Sequence, residues 1–447
     1  MTTETDPIQQ GHTGGDPALE RYETRPAFEA RVARRVEGGT KHSAKRALRL
    51  AIGIVGWLTR TPRGAGAPAT PQRILVTRVD LLGDVVLSLP AVRALRRAYP
   101  NARIDLLVLG STAGVLAGQM DVDHVLTFDP YFWRRPAGLL RPATWRTARA
   151  LLATLRAARY DLAISVSGDI ASILTRLSGA PRRIGYAAEA YPFLLTEALP
   201  GGRYRVRQHE VRYVLALAAA AGGLVEPGDA LLDLRVVPAA ARSSAALIAS
   251  ARAQMRGVRG PLVAIHAGAR NGQAKRWPPE RIAALADRLA YELDALVVLT
   301  GAPSEQPLAR EVLRHTTARV VNLVGRTTIP ELVALLAAAD VLVTGDSGPL
   351  HIACAVRTPL VALHGPTDPA LSGPTASDAI VVRQTLWCSP CYDASATAEC
   401  RFSNPVCMKQ IAPDTVFAAV ATQLRRRGWE RAAGEGVPRY ARAASHS

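Results

Sequence analysis

The chain of 447 residues is long enough for two ordinary domains with flanking segments, and a 48% hydrophobic share supports a real core in each. Its charge is lopsided, since 55 Lys and Arg against 37 Asp and Glu leave +18. Such a surplus invites a nucleic-acid reading, but no aromatic-basic platform or recognition motif accompanies it, and nucleic acid is set aside as a partner.

The surplus is concentrated at the ends. Residues 31–63 hold nine Lys or Arg against one Glu, and residues 425–442 hold six Arg against two Glu, so 12 of the 18 charges lie outside the expected core. Anionic lipid headgroups, phosphorylated acceptors and nucleotides are all attracted by such a field. The polar, acidic start shows no secretory signal. In residues 45–60, KRALRLAIGIVGWLTR, the apolar run Leu50 to Leu58 is far shorter than the ~20 residues of a spanning helix. This stretch reads either as a basic helix lying in a membrane surface with Trp57 or as a helix packed on the first domain. Residues 1–25 and 430–447 are expected to be disordered.

From residue 73 short apolar strands alternate with helical stretches, the pattern of a doubly wound parallel α/β sheet. The first series predicts a strand at Arg73 to Arg78, a helix at 85–98, a strand at Ile104 to Leu109, a helix at 144–158 and a strand at Leu162 to Val166. Residues 226–260, with a weaker helix from Ser243 to Arg256, read as a connection. The second series runs strand Leu262 to His266, helix 279–291, strand Ala295 to Thr300, helix 304–315, strand 319–323, helix 329–338 and strand 341–344. The expected organisation is an N-terminal extension (1–70), a first Rossmann-like domain (71–225), the connection (226–260), a second Rossmann-like domain (261–424) and a basic tail (425–447). Two such halves place a cleft between the carboxyl ends of their strands.

The loops at those ends carry the polar residues. Arg78-Val-Asp-Leu-Leu-Gly-Asp84 follows the opening strand, and Asp84 reads either as a catalytic carboxylate or as an N-cap of the next helix. Pro90 complicates the second reading, because it fits a first turn capped by Ser88 better than the interior of a helix starting at Asp84. His266 to Pro279 is a flexible, basic loop suited to phosphate oxygens, with Gly268, Arg270, Lys275 and Arg276. In Thr300-Gly-Ala-Pro-Ser-Glu305, the Glu is placed to accept from ribose hydroxyls or to complement a helix dipole.

The stretch GDSGPLHIACAVRTPLVALHGPTD (345–368) joins a strand, a turn, a helix start and a second strand, as anion sites in parallel α/β domains do. Gly345 and Gly348 are expected to let the backbone turn and approach a ligand, with Asp346, Ser347 and His351 at the mouth. The amides from Ser347 through Gly348 and Pro349 to Leu350 are expected to face a diphosphate. Four of the five cysteines, Cys388, Cys391, Cys400 and Cys407, cluster in sequence and read as unligated or redox-labile thiols or as a structural zinc site, the second pair lacking a tight knuckle. Cys354 reads as a buried helix residue.

The blocks RVDLLGDVVLSLPAVRALRRAYP, HAGARNGQAKRWPPERIAALADRL, LTGAPSEQPLA, GDSGPLHIACAVRTPLVALHGPTDP and the closing CSPC to CM stretch together resemble glycosyltransferase family nine, the bacterial heptosyltransferases of lipopolysaccharide core assembly, over about residues 73–420. The resemblance implies a GT-B fold, two Rossmann-like parallel-sheet domains facing across a cleft. It implies inverting, metal-independent transfer from a nucleotide-diphosphate sugar, typically ADP-heptose, to a glycan or glycolipid acceptor, with no cofactor and no metal ligands. It casts Asp84 as general base, Lys275 as the cation at the donor phosphates, residues 345–351 as the diphosphate block and Glu305 as the ribose contact. Asp80 departs from the pattern, standing where the core enzymes usually have Ser. The expected location is cytoplasmic, and where residues 45–60 lie in a membrane surface, peripheral at the inner face of the cytoplasmic membrane. A nucleotide-sugar epimerase of the same fold and a catalytically silent nucleotide-binding, membrane-associated protein are the competing readings.

Overall fold

The computed structural model describes residues 68–130, 141–189, 191–202, 207–255, 257–269, 272–392, 399–400, 402–431 and 440–442. The helix expected over residues 45–60 lies outside them. The first half of the chain runs β1 (Arg73–Arg78), α1 (Leu82–Val86), α2 (Leu89–Ala98), β2 (Arg103–Val108), β3 (His124–Thr127), α3 (Pro142–Ala157), β4 (Leu162–Ser165), α4 (Gly168–Leu177), β5 (Arg182–Tyr186), β6 (Glu197–Leu199) and α5 (Glu210–Ala220). After α6 (Pro238–Gln254) come β7 (Leu262–His266), α7 (Pro279–Leu293), β8 (Leu296–Thr300), α8 (Gln306–His315), β9 (Val321–Asn322), α9 (Ile329–Ala338), β10 (Val341–Gly345), α10 (Gly348–Ala355), β11 (Leu360–His364), α11 (Pro369–Ser372), β12 (Ile380–Arg383), α12 (Val406–Lys409) and α13 (Pro413–Arg426).

Strand order decides where ligands go. The first sheet is β3-β2-β1-β4-β5-β6 and the second β9-β8-β7-β10-β11-β12, the same doubly wound order twice, with parallel pairings throughout. In each sheet the order reverses beside the opening strand, so a crevice forms outside the carboxyl ends of β1 and β4 and again outside those of β7 and β10. The central strands are buried on both faces: β7, β8 and β11 expose no residue.

Local sequence explains the break after β1. The expected single helix over 85–98 is two: Ser88 caps α2, with Pro90 in its first turn, where a missing N–H costs nothing. The Ser88 hydroxyl donates to the Asp84 carbonyl at 2.8 Å, which turns the chain between the helices. Leu81 caps α1, so Asp84 sits inside its first turn and is not an N-cap.

Two expectations about the ends are corrected. The helix assigned to Ser243 to Arg256 is α6, which begins at Pro238 and packs on α9, where the Ser244 hydroxyl donates to the Glu331 carbonyl at 2.7 Å. Residues 430–447 are not wholly without structure, because β13 (Trp429–Arg431) pairs antiparallel with β14 (Tyr440–Arg442). Trp429 anchors this hairpin, being buried and donating from its indole to Asp340 at 3.0 Å.

Candidate active site

The two crevices meet where α1 abuts the start of α10. Gly83 permits the contact: a β-carbon there would lie 2.6 Å from the His351 ring. Gly348 answers it from the other side, since a β-carbon would fall 3.1 Å from Leu82. Neither Gly345 nor Gly348 adopts a left-handed conformation, so glycine is needed here for close approach and not for a sharp turn. This contact sets Asp84 of the first domain opposite His351 of the second.

Asp84 is held by a buried cation. Arg78, at the end of β1, is fully buried and directs Nη2 to Asp84 at 3.0 Å and to Glu210 on α5 at 2.8 Å. Its Nη1 reaches the Ser167 hydroxyl at 3.3 Å, and Ser167 donates to Asp80 at 3.1 Å. Asp80 also accepts from the Leu81 N–H at 3.0 Å, which ties the loop to its own backbone. A planar guanidinium is suited to this task, because its fork reaches several acceptors in fixed directions. Three carboxylates surround Nη2: Glu210 is buried, Asp84 is 13% exposed, and Asp80, farther off at 3.8 Å, is 29% exposed, so of the two that Nη2 hydrogen-bonds Asp84 is the more accessible.

On the opposite wall Lys275 pairs with Asp346 at 2.8 Å, and its ammonium lies 4.1 Å from the centre of the Tyr392 ring. Burial pushes the Asp346 carboxyl upward, but the charge and hydrogen bond of Lys275 more than offset it, and the group stays below the ordinary carboxylate range. Gly268 is in contact with Glu305: one carboxylate oxygen accepts from the Ala302 N–H at 2.7 Å, and the other fills the space where a Gly268 side chain would be. Lys275, Asp346, Gly268 and Glu305 therefore gather at the carboxyl ends of β7, β8 and β10. Arg270 lies outside the described residues.

The helix terminus offers less than expected. Pro349 has no N–H and the Leu350 amide turns back to the Ser347 carbonyl at 3.1 Å, so the amides of Ser347 and Gly348 alone remain for an anion. Ser347 is braced by Thr344, hydroxyl to hydroxyl at 2.9 Å.

Two buried imidazoles complete the wall. His351 is 4% exposed, and burial lowers its pKa to about 4 against the attraction of Asp346 and Asp84. It is neutral at ordinary pH, and its Nδ1 meets no partner among the described residues. His364 bonds Thr367 through Nδ1 at 3.1 Å and is likewise pushed down by burial. His209 and His266 shift the same way, chiefly from burial. Between the folded and unfolded pKa values the folded chain binds fewer protons, so stability should be full above about pH 6.5 and fall as pH drops toward 4. His351 alone accounts for about 3 kcal/mol over that window, 2.5 pH units at 1.36 kcal/mol each. Chemical denaturation from pH 7.5 to 4 should show this slope, and His351→Gln should flatten it; an unchanged slope would place the loss elsewhere.

Sequence reasoning missed Arg78, Glu210, His364 and Tyr392. Arg78 looked like a strand end, and its partner Glu210 is 132 residues away with no motif around it. Cys388, Cys391, Cys400 and Cys407 form no disulfide among the described residues, and the Cys400 thiol donates to the Asn404 carbonyl at 3.2 Å. Burial pushes the Cys407 thiol up to about 12, with the other three adding to the effect, so the four are neighbours in space. Among the described residues no group of three or more His, Cys, Asp or Glu is arranged to hold a metal ion.

Residues 148–401 match the model of glycosyltransferase family 9 (heptosyltransferase). The chain belongs to glycosyltransferase family 9. It is similar to lipopolysaccharide heptosyltransferase 2 of Escherichia coli K12, 29% identical over 70% of this chain and 88% of that one. The solved E. coli ADP-heptose lipopolysaccharide heptosyltransferase II is 26% identical with a TM-score of 0.61, over 79% of this chain and 99% of the other. A family 9 glycosyltransferase from Veillonella parvula superposes with a TM-score of 0.64 at 21% identity, covering 79% and 97%. The shared architecture is GT-B, two parallel six-stranded sheets flanked by helices, as the sequence blocks imply. This family 9 chain is a glycosyltransferase. No described helix is long and apolar enough to cross a membrane.

Proposed function

We propose that the chain transfers a heptose from ADP-heptose to a hydroxyl of a cell-envelope glycolipid, with inversion at the anomeric carbon and without a metal. The observation that carries this reading is the opposition of Asp84, held by Arg78, to the Lys275–Asp346 pair across the α1–α10 contact. Asp84 takes the proton of the acceptor hydroxyl as its oxygen bonds to the anomeric carbon. The bond from that carbon to the diphosphate breaks, and ADP departs with the electron pair.

Charge gathering on the leaving diphosphate is met by Lys275 and by the amides of Ser347 and Gly348, the role a cation would otherwise fill. Neutral His351, whose Nδ1 has no partner among the described residues, donates to the glycosyl phosphate or to the sugar. Glu305 accepts from the ribose. The relatives named for ADP-heptose and lipopolysaccharide support this choice of donor and acceptor.

The test is a panel of ADP-, UDP- and GDP-linked sugars read by thermal shift, with products analysed by NMR. Binding to the native state raises the melting point by mass action. ADP-heptose should shift it most, and an inverted anomeric linkage should form only when acceptor is added. An altered sugar from donor alone would instead mark an epimerase. Donor binding without turnover on any acceptor would mark a silent nucleotide-binding protein.

A further inference from the structure

α3 is lightly packed for a helix of a parallel sheet. Leu155 is its one buried residue, Leu151 and Leu152 are partly covered, and most of the remainder faces solvent. From Arg141 to Tyr160 the chain carries five Arg and no carboxylate. At 3.6 residues per turn, Trp145, Arg146, Arg149 and Arg156 fall within about 100° of arc. Arg141, at the N-cap, precedes Trp145 by about one turn and extends the stripe. Trp145 is 51% exposed, and Arg141, Arg146 and Arg149 are exposed and make no ion pair with a described residue.

A solvated helix face normally interleaves both signs, because like charges one turn apart repel. An all-arginine stripe with a Trp has instead the chemistry that anionic lipid takes up. Guanidinium forks pair with lipid phosphates, and the indole sits at headgroup depth. The position is apt as well. α3 is the crossover from β3 to β4, so it runs against the strands, and its Arg141–Trp145 end lies toward the carboxyl edge of the sheet, where Asp84 also lies.

We infer that the arginine face of α3 is a docking surface for an anionic lipid bilayer, bringing membrane-held acceptor headgroups to the catalytic edge of the first domain. The purpose of this contact rests on the glycolipid-acceptor reading, whereas the contact itself requires only anionic lipid. None of the α3 side chains belongs to the transfer site.

The full chain is sedimented with vesicles of phosphatidylcholine alone or with one third phosphatidylglycerol, at 0.1 M salt. The wild type should bind the anionic vesicles and ignore the neutral ones. Each basic side chain at such a surface is worth roughly five-fold in affinity, so R141Q/R146Q/R149Q should bind about 100-fold more weakly. That variant keeps residues 31–63, so a loss reports on α3. Its melting point and its transfer to a soluble, lipid-free acceptor should match the wild type. Removing three exposed arginines from the second domain, R310Q/R314Q/R319Q, should leave vesicle binding unchanged. Equal binding by wild type and the α3 variant, equal losses in both triple variants, or no wild-type binding to anionic vesicles would each overturn the inference. Vesicle binding that survives when no glycosyl transfer is found would leave the surface standing and remove the proposed reaction.

Discussion

Asp84→Asn should reduce transfer by about 10² to 10⁴-fold while leaving nucleotide-sugar affinity unchanged, the range that loss of a positioned general base produces. The substitution is conservative for the fold. Asn keeps an oxygen where Arg78 Nη2 donates at 3.0 Å, and Arg78 retains Glu210 at 2.8 Å, so the buried cation is still paired. Lys275, Asp346 and Glu305 all belong to the second domain and keep their partners, and His351, which faces Asp84, is neutral with either side chain. Single-turnover transfer and calorimetric ADP titration separate the two effects. Near-normal turnover would remove Asp84 from the role. A fall in ADP affinity as large as the fall in rate would mean that Asp84 acts by holding the domains together. Glu210→Gln is the useful contrast, since a carboxylate 4% exposed can brace Arg78 but has little access to an acceptor hydroxyl.

What the sequence made legible follows the reach of each interaction. Strands buried on both faces, such as β1 and β7, were read to the residue, because an uninterrupted apolar run bounded by turns has few other interpretations. β5 went unread because it opens on two arginines. Arg183 is nevertheless buried, donating to the carbonyls of Leu194 and Ala180 at 2.9 and 2.6 Å, which a linear pattern cannot reveal. β3 is mostly exposed, and its apolar pair Val125–Leu126 is too short a run to mark a strand. The break at Ser88 was half visible through Pro90, whose ring excludes a helix interior. In the site the same division holds. Asp84, Lys275, Glu305 and the 345–351 block each lie in the segment that leaves the carboxyl end of a strand, a place that topology marks as functional. Arg78 and Tyr392 owe their importance to partners far along the chain, and the spent amide of Leu350 is a matter of hydrogen-bond geometry rather than residue type.

Lys275→Ala should weaken donor binding and slow transfer together, by about 10² to 10³-fold in rate, as removal of one preorganised charge stabiliser does. It should also destabilise the fold, because Asp346 would remain 9% exposed with its cation gone, and breaking such a pair typically costs about 3 to 5 kcal/mol. The two losses have different remedies. Lys275→Ala with Asp346→Asn replaces an unpaired charge by a neutral amide, so the double variant should regain much of the stability without regaining transfer. The pH dependence should follow. The Asp346 carboxyl is held below its ordinary range, so its contribution is present above the unfolded-state pKa and lost as pH falls through that value toward the folded one. In Lys275→Ala burial then acts without its counterweight, the carboxyl rises, and the variant should lose stability at higher pH than the wild type. Denaturant midpoints of the three chains from pH 7 to 3, measured beside kcat and KM for the donor, decide the matter. Unchanged donor kinetics in Lys275→Ala would reduce Lys275 to a structural partner of Asp346, and transfer restored in the double variant would show that the lysine's charge never served the diphosphate.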